Sequence, residues 1–191
     1  MGKPKLLLPW GQTSILGHLI RRWKELRADQ ITVTCAARDL TVCAELDRLS
    51  FPQQNRIANP DTDRGMFSSI ICAAQWHGWR DSLSHWAIVL GDQPHIRSDT
   101  LEQLLNFAAK HPQQVCQPSR NGKKGHPVIV PKPVFLQIGK STSADLKEFL
   151  AGQEVAQCQC NDAGQDFDID RPEDYQQALA LDELRAKGTR S

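Results

Sequence analysis

The sequence has no long hydrophobic run and almost no net charge, and each absence excludes a class of protein. Its 191 residues include 23 Lys and Arg against 22 Asp and Glu, so the formal net charge is +1. A chain without excess positive charge has no general electrostatic attraction for nucleic acid. No apolar stretch approaches the length needed to cross a bilayer. We therefore expect neither a nucleic acid nor a membrane as a partner.

Secretion features and cysteine pairs are also missing. Residues 1–5 are basic, but the apolar run 6–8 is too short for the hydrophobic region of a signal peptide, and Pro9 ends it. The six cysteines are scattered, as in a reduced intracellular protein rather than a disulfide scaffold. Cys158 and Cys160 form a C-x-C pair, but without a second pair they are interpreted as two strand residues rather than a soft-metal site. These features predict a cytoplasmic protein.

The sequence does contain a regular alternation of helical and strand patterns. Apolar residues at helical spacing alternate with short β-rich or apolar runs, and run 86–90 (WAIVL) is typical of a strand buried on both faces. The predicted helices are 13–27, 39–49, 66–79, 99–110, 143–150 and 171–186, and the predicted strands are 30–36, 56–58, 86–90, 115–117, 128–130 and 155–160.

This alternation predicts an α/β fold with βαβ units and a mostly parallel, doubly wound sheet. The hairpin-like middle predicts one antiparallel strand in the second half. Internal repeats, low-complexity tracts and linkers are missing from the sequence. We therefore predict a single domain over residues 1–186, followed by a frayed tail, 187–191.

Polar clusters follow three of the predicted strands, where open α/β sheets bind their ligands. The first is Gly91-Asp92-Gln93-Pro94, directly after WAIVL. Its carboxylate suits Mg²⁺, which typically joins one or two carboxylates to substrate phosphates. A simple Gly-Asp turn explains the same residues equally well.

The second cluster is the acidic segment 166–174. Asp168 and Asp170 alternate, so both could face one side. Asp170 and Glu173 also have the spacing of a capping box, and Pro172 suits a first helical turn. Asp170 is able to cap with one oxygen and bind a metal with the other.

The third cluster, residues 59–69, precedes a predicted helix. Gly65 permits a close backbone approach, and free N–H groups at a helix start suit an anion or a nucleotide sugar. A capped helix with hydroxyls in its first turn is the alternative. Further on, a loop with three cations in residues 120–124 ends in Gly125-His126-Pro127. It is either a phosphate-binding loop or a solvated one.

The clusters occur in one order: K-x-L-L-P-W-G, N-P-D-x-x-x-G-M-x-S-S-I, G-D-Q-P, G-H-P-V and D-I-D-x-P-E-D-Y. In this order the chain resembles the MobA-like nucleotidyltransferase family, and within it is most similar to the molybdenum cofactor cytidylyltransferases. Each motif alone is weak, whereas five in register from Met1 to about Ala180 are fairly specific.

The resemblance implies a GT-A-type, Rossmann-like three-layer sandwich. It implies transfer of CMP from CTP to the terminal phosphate of molybdopterin, with Mg²⁺ as cofactor and release of pyrophosphate. A molybdoenzyme or its chaperone is an expected partner. The alternatives are a guanylyltransferase using GTP, a sugar-nucleotide enzyme of the same fold, and a non-catalytic nucleotide- or cofactor-binding module.

The resemblance also implies roles for individual residues. Lys5 matches the lysine that meets the triphosphate, and Asp92 and Asp170 match the metal ligands. A phosphate monoester is mostly ionised at neutral pH, so its attack on the α-phosphorus needs positioning and charge neutralisation rather than a general base. The residues that match nucleotide- or substrate-binding positions are Asn59, Gly65, Ser68, Gly125 and His126.

The sequence departs from the family at its start. Family members begin with a strand and L-A-A-G-x-S-x-R-M-G, of which only Met1-Gly2 is present. The resemblance therefore predicts a sheet without its first, central strand and without the phosphate loop. Either the start codon is assigned too late, or this is a truncated paralogue that binds weakly. Because Lys5, Asp92 and Asp170 are intact, we favour the first explanation.

Overall fold

The computed structural model describes residues 4–188, and strands with helices on both faces make up this part of the chain. The α-helices are α1 (Ile15–Glu25), α2 (Leu40–Arg48), α3 (Met66–Gln75), α4 (Ser98–Lys110), α5 (Lys132–Ile138), α6 (Leu146–Ala151) and α7 (Pro172–Gly188). The strands are β1 (Pro9–Trp10), β2 (Thr13–Ser14), β3 (Val33–Ala36), β4 (Arg56–Asn59), β5 (His85–Ile88), β6 (Val115–Arg120), β7 (Lys123–Lys124), β8 (Val128–Pro131) and β9 (Val155–Gln159). Over these residues, every helix is too short or too polar to cross a membrane.

Side-chain caps fix the starts of several helices. The Ser14 hydroxyl accepts a hydrogen bond from the N–H of Gly17 and begins α1. The Asp39 carboxylate accepts from the N–H groups of Thr41 and Val42 and begins α2. Such caps satisfy N–H groups that have no partner within the helix. The predicted helical periods in these segments are therefore confirmed.

The main sheet has the order β5-β8-β6-β7, and β9 pairs with the other side of β6. Strands β6 and β9 are parallel, whereas β8 is antiparallel to both β5 and β6. Strands β3 and β4 form a separate parallel pair. The predicted α/β class is confirmed, and β8 is the antiparallel strand that the hairpin-like middle predicted.

Two helix ends and one additional helix differ from the prediction in ways that the structure explains. The helix predicted over 66–79 ends at Gln75, because Trp76 has extended backbone angles and the Trp79 indole N–H donates to the carbonyl of Ala73. Helix α5 was not predicted, since its short apolar stretch directly follows β8. Helix α7 reaches Gly188, two residues beyond the predicted helix end at 186. Residues 189–191 of the predicted tail, 187–191, lie outside the described part.

An opening, which we call the strand slot, separates the β3–β4 pair from the main sheet. Among the described strands, β3 pairs with β4 alone and β5 pairs with β8 alone, so each has one open edge. A cavity of about 570 Å³ is lined by residues of both strands and of α1 and α3. Among the described residues, the β3–β4 pair is therefore not hydrogen-bonded to the main sheet.

Candidate active site

Three of the predicted site residues meet beside the end of β5. Lys5 lies in a short 3₁₀ turn, Asp92 follows β5, and Asp170 immediately precedes α7. The Lys5 Nζ is 2.6 Å from Oδ1 of Asp170 and 3.5 Å from Oδ2 of Asp92. One ammonium group therefore lies between two carboxylates from distant parts of the sequence.

Backbone contacts hold these segments together. Gly91 allows the turn with Lys5 to approach, because a Cβ at this position would lie only 2.4 Å from Cδ2 of Leu6. The N–H of Ile169 donates to the carbonyl of Asp92 at 3.1 Å, and the Ile169 side chain is fully buried. Burial of Ile169 thus fixes the acidic segment against the loop that follows β5.

The two carboxylates of the site have opposite electrostatic environments. Burial raises the pKa of Asp92, and the nearby Asp168 raises it further, while Lys5 acts in the opposite direction. Its Oδ1 is buried and accepts no hydrogen bond from another described residue. The hydrogen bond from Lys5 instead lowers the pKa of Asp170, whose side chain is 67% exposed. Asp92 thus gains most from a bound cation, because its charge is poorly solvated.

Asp168 belongs to this site, although sequence reasoning gave it no role. Its Oδ1 accepts a hydrogen bond from Nε2 of Gln93 at 2.7 Å. Gln93 is the neighbour of Asp92, and Asp168 is close enough to raise the Asp92 pKa. The alternation in Asp168-Ile169-Asp170 was the signal that both carboxylates face the same side.

The capping-box interpretation of Asp170 and Glu173 is wrong. The N–H groups of Asp170 and Arg171 both donate to Oδ2 of Asp174, at 3.1 Å and 2.7 Å. Asp174 therefore satisfies the start of α7. The Asp170 carboxylate points to Lys5 instead.

The donor set fits a hard divalent cation. The Lys5 ammonium, itself a cation, lies between carboxylate oxygens of Asp92 and Asp170. Among the described residues, no three His, Cys, Asp or Glu side chains form a ready metal cage. Mg²⁺ typically binds through one or two carboxylates and completes its shell with phosphate oxygens and water. The arrangement suits a metal that arrives with a phosphorylated ligand.

A second cluster of predicted site residues lies at the start of α3. The buried Asn59 amide donates to the hydroxyls of Ser68 and Ser69, at 2.8 Å and 2.9 Å. Its carbonyl oxygen accepts from the N–H of Asp61, and Ser68 donates to the carbonyl of Gly65. These side chains order the loop, and no described hydrogen bond or ion pair joins them to the carboxylates.

Gly125 and His126 lie between β7 and β8, on the same side as the carboxylates. The Gly125 N–H donates to the carbonyl of Pro118 at 2.9 Å. Burial lowers the pKa of His126, while the Ile88 carbonyl, Asp168 and Asp92 raise it, so the imidazole faces the acidic residues. His126 Nδ1 is buried without a hydrogen-bond partner in the described structure. The buried imidazole is therefore near enough to Asp92 and Asp168 to be influenced by their charges.

The basic loop before Gly125 does not act as one cluster. Arg120 forms an ion pair with Asp166, whereas Lys123 and Lys124 are exposed in β7. Two of the three cations are thus solvated, as expected if the loop is a solvated one. Arg120 instead ties the loop to the acidic segment that carries Asp168 and Asp170.

Comparison with known proteins gives consistent matches. The family described as the MobA-like NTP transferase domain matches residues 1–158. The molybdenum cofactor cytidylyltransferase of Escherichia coli (strain K12) is 26% identical over 178 residues, which cover 92% of this chain and 86% of that protein.

Solved structures share the fold. The homolog of Mycobacterium tuberculosis Rv0371c from Mycobacterium sp. strain JC1 superposes with a TM-score of 0.74, at 22% identity, over 96% of this chain and 91% of that one. Rv0371c from M. tuberculosis H37Rv, in complex with manganese, gives a TM-score of 0.69 at 20% identity, over 94% of this chain and 93% of that one.

Proposed function

The chain belongs to the MobA-like NTP transferase domain family, and we propose that it transfers CMP from CTP to the terminal phosphate of molybdopterin. A nucleotidyltransferase of the MobA-like type is supported by the family match and by the Escherichia coli relative together. The choice of CTP and molybdopterin rests on that relative, which is a molybdenum cofactor cytidylyltransferase. The structural observation that carries the proposal is the Lys5 ammonium between Asp92 and Asp170.

Asp92 and Asp170 are the residues that would hold Mg²⁺. When bound, Mg²⁺ would neutralise charge on the triphosphate of CTP. Asp92 is the stronger anchor, because its buried Oδ1 lacks a partner among the described residues. The complex of Rv0371c with manganese supports a divalent cation in this fold. The 2.7 Å hydrogen bond between Gln93 and Asp168 holds the Gln93 side chain beside Asp92.

In the proposed reaction, an oxygen of the acceptor phosphate forms a bond to the α-phosphorus of CTP. The bond from the α-phosphorus to its bridging oxygen breaks, and pyrophosphate leaves with the electron pair. The attacking phosphate has a second pKa of about 6 and is mostly ionised at neutral pH, so no general base is needed. Lys5 exchanges its contact with Asp170 for phosphate oxygens and stabilises the departing charge.

A pyrophosphate-release assay tests this function. The purified protein is incubated with molybdopterin, Mg²⁺ and either CTP or GTP, and Asp92→Asn serves as the inactive control. We expect release with CTP at a rate at least about tenfold above that with GTP, equivalent to about 1.4 kcal/mol of discrimination. Faster turnover of GTP would identify a guanylyltransferase. Turnover with a sugar phosphate in place of molybdopterin would identify a sugar-nucleotide enzyme.

A non-catalytic nucleotide- or cofactor-binding module is the second candidate. Calorimetry separates the two candidates. Binding of CTP or molybdopterin without pyrophosphate release, under conditions in which the Escherichia coli relative is active, would support the binding module.

A further inference from the structure

The side-chain amide of Gln165 is buried without a hydrogen-bond partner. Gln165 lies in the short 3₁₀ turn Ala163–Asp166, and neither Nε2 nor Oε1 of its amide has a partner among the described residues. Nearly all buried polar groups in native proteins are paired, so each exception calls for an explanation. An amide that leaves water and gains no partner in the protein destabilises the fold. Both of its polar groups are therefore free to bond a partner from outside the chain.

A buried carboxylate holds the turn that carries Gln165. Asp162 is only 1% exposed, and its Oδ1 accepts a hydrogen bond from the N–H of Gly164 at 2.9 Å. Its Oδ2 accepts from the N–H of Arg97 at 2.8 Å and from the hydroxyl of Thr100 at 3.1 Å, at the start of α4. The N–H of Gln165 donates to the carbonyl of Asp162 at 3.1 Å. The backbone of the turn is thus fixed, and it keeps the Gln165 amide in this place although the amide itself is unpaired.

The amide lies beside the segment that joins β7 to β8. A Cβ atom at Gly125 would be 3.8 Å from both Cδ and Oε1 of Gln165. The next residue, His126, has a buried Nδ1 that also lacks a partner in the part of the chain that the structure describes. This nitrogen donates or accepts a hydrogen bond according to the tautomer of the ring. Two adjoining segments therefore carry three unpaired polar atoms.

The same two segments lie next to the carboxylate site. Asp168 and Asp170 come directly after the turn that carries Gln165. The charges of Asp168 and Asp92 act on the His126 ring and raise its pKa, against the effect of burial. A ligand in contact with the Gln165 amide would therefore lie close to the proposed metal ligands. A substrate is the class of ligand expected at that position.

The paired donor and acceptor of an amide suit the edge of a heterocyclic ring. Nε2 donates and Oε1 accepts, so the complementary edge has an amino group next to a ring nitrogen or a carbonyl oxygen. Glutamine reads adenine in this bidentate way in DNA complexes. A phosphate, by contrast, would use the donor alone. Both substrates of the proposed reaction contain a suitable edge, in the cytosine of CTP and in the pterin of molybdopterin.

We propose that Gln165, together with His126, recognises the edge of an amino-substituted heterocycle in one of these two substrates. The choice of cytosine and pterin rests on the proposed function, whereas the unpaired amide is a feature of the structure itself. The amide is turned inward, and rotation about the side-chain bonds of Gln165 brings it to the ring. Gln165 is a binding residue, because it touches the heterocycle and not the reacting phosphorus.

Stability and affinity measured on Gln165→Leu test the recognition site. Leucine removes both polar groups and has a similar size. We expect the midpoint of urea unfolding to stay unchanged or rise, because an unpaired buried amide is replaced by an apolar group. The affinity for one heterocycle should fall about tenfold, as expected for the loss of two neutral hydrogen bonds. Gln157→Leu, at an exposed position of β9, should change neither quantity.

Calorimetry with three probes identifies the ring. The probes are CTP, UTP and 6-hydroxymethylpterin, and UTP has a carbonyl oxygen where cytosine has its amino group. If cytosine is the ring, the preference for CTP over UTP should disappear in Gln165→Leu and pterin binding should be unchanged. If the pterin is the ring, only the affinity for 6-hydroxymethylpterin should fall. Unchanged affinity of Gln165→Leu for all three probes would overturn the proposal, because ordered water would then be the only partner of the amide.

The binding measurements separate the recognition site from the proposed function. A protein that binds a probe through Gln165 but releases no pyrophosphate would support the recognition site and contradict the function. Turnover with the same KM for CTP and for molybdopterin in Gln165→Leu would support the function and overturn the recognition site. A natural protein that binds none of the three probes would also overturn the recognition site.

Discussion

The ammonium of Lys5 lies 2.6 Å from a carboxylate oxygen of Asp170, although the two residues are 165 positions apart in the chain. The same ammonium is 3.5 Å from Asp92, so the chain's own cation lies between the two proposed metal ligands. A divalent cation at this place would share the same oxygens and repel the ammonium. If a divalent cation binds here, Lys5 and the metal would compete for Asp170 until a triphosphate offers Lys5 other anionic partners.

Replacing Lys5 should separate its competition with the metal from its contact with the triphosphate. In Lys5→Met we expect Mn²⁺ to bind several-fold more tightly in the absence of nucleotide, because the competing cation is gone. Binding of CTP should weaken at the same time, because an anchoring charge for the triphosphate is lost. Calorimetric titration of each ligand measures both effects, with Lys5→Arg as the charge-conserving control. Unchanged Mn²⁺ affinity in Lys5→Met would contradict the competition.

Asp92→Asn should lose activity and gain stability. We expect turnover to fall by at least about a hundredfold, because the main anchor of the metal is lost. The pKa of Asp92 is raised in the folded protein, so its ionised form destabilises the fold above that pKa and has no such effect below the unfolded value. Urea unfolding without metal should therefore show a more stable variant at neutral pH, with the difference disappearing as the pH falls towards 4. A variant less stable than the natural protein at pH 7 would show that Asp92 is favourably solvated.

Asn59→Ala should lower the stability of the protein rather than remove a direct contact with the nucleotide. The buried amide organises Ser68, Ser69 and the N–H of Asp61, so its removal leaves several polar groups without partners. We expect a loss of about 2 kcal/mol in the free energy of unfolding. Ser69→Ala, which removes one of these bonds, should cost less. If Asn59→Ala instead raised the KM for CTP tenfold without loss of stability, the side chain would bind the nucleotide directly.

The sequence predicted the elements of the fold well wherever a periodic pattern was long. The helices that begin at Ile15 and Leu40 were found because their apolar residues recur at helical spacing. Helix α5 was missed because its seven residues follow β8 without a separating turn signal. The first residue of α5 can be predicted only when the end of β8 is known, and pairing with β5 sets the end of β8.

The site was harder to predict because its contacts join distant segments. The motifs singled out Lys5, Asp92 and Asp170 one by one, but spacing along the chain gives no distance between them. Asp168 was passed over because its role depends on Gln93, a contact made across 75 positions. The sequence predicted that Asp170 and Glu173 would cap α7. In the structure the N–H of Asp170 donates to Asp174, and the Asp170 carboxylate contacts Lys5 instead.

His18 should make the protein sensitive to mild acid. Its ring is buried in α1, next to Trp10, and its Nε2 has no hydrogen-bond partner in the described structure. Burial, together with the neighbouring Arg22 and Arg21, lowers its pKa to about 4, whereas the Pro94 carbonyl raises it slightly. The unfolded chain therefore binds a proton near pH 6.5 that the folded protein does not bind until about pH 4.

The direction of the effect follows from proton linkage. Between pH 6.5 and about 4 the unfolded state carries more protons, so the free energy of unfolding falls as the pH falls. The full effect is about 3 kcal/mol, since each unit of pKa shift corresponds to about 1.4 kcal/mol. Urea unfolding at several pH values should show this slope, and His18→Met should remove most of it. His77→Gln, at an exposed position, should leave the slope unchanged. If His18→Met retained the slope, the acid sensitivity would come from the carboxylates instead.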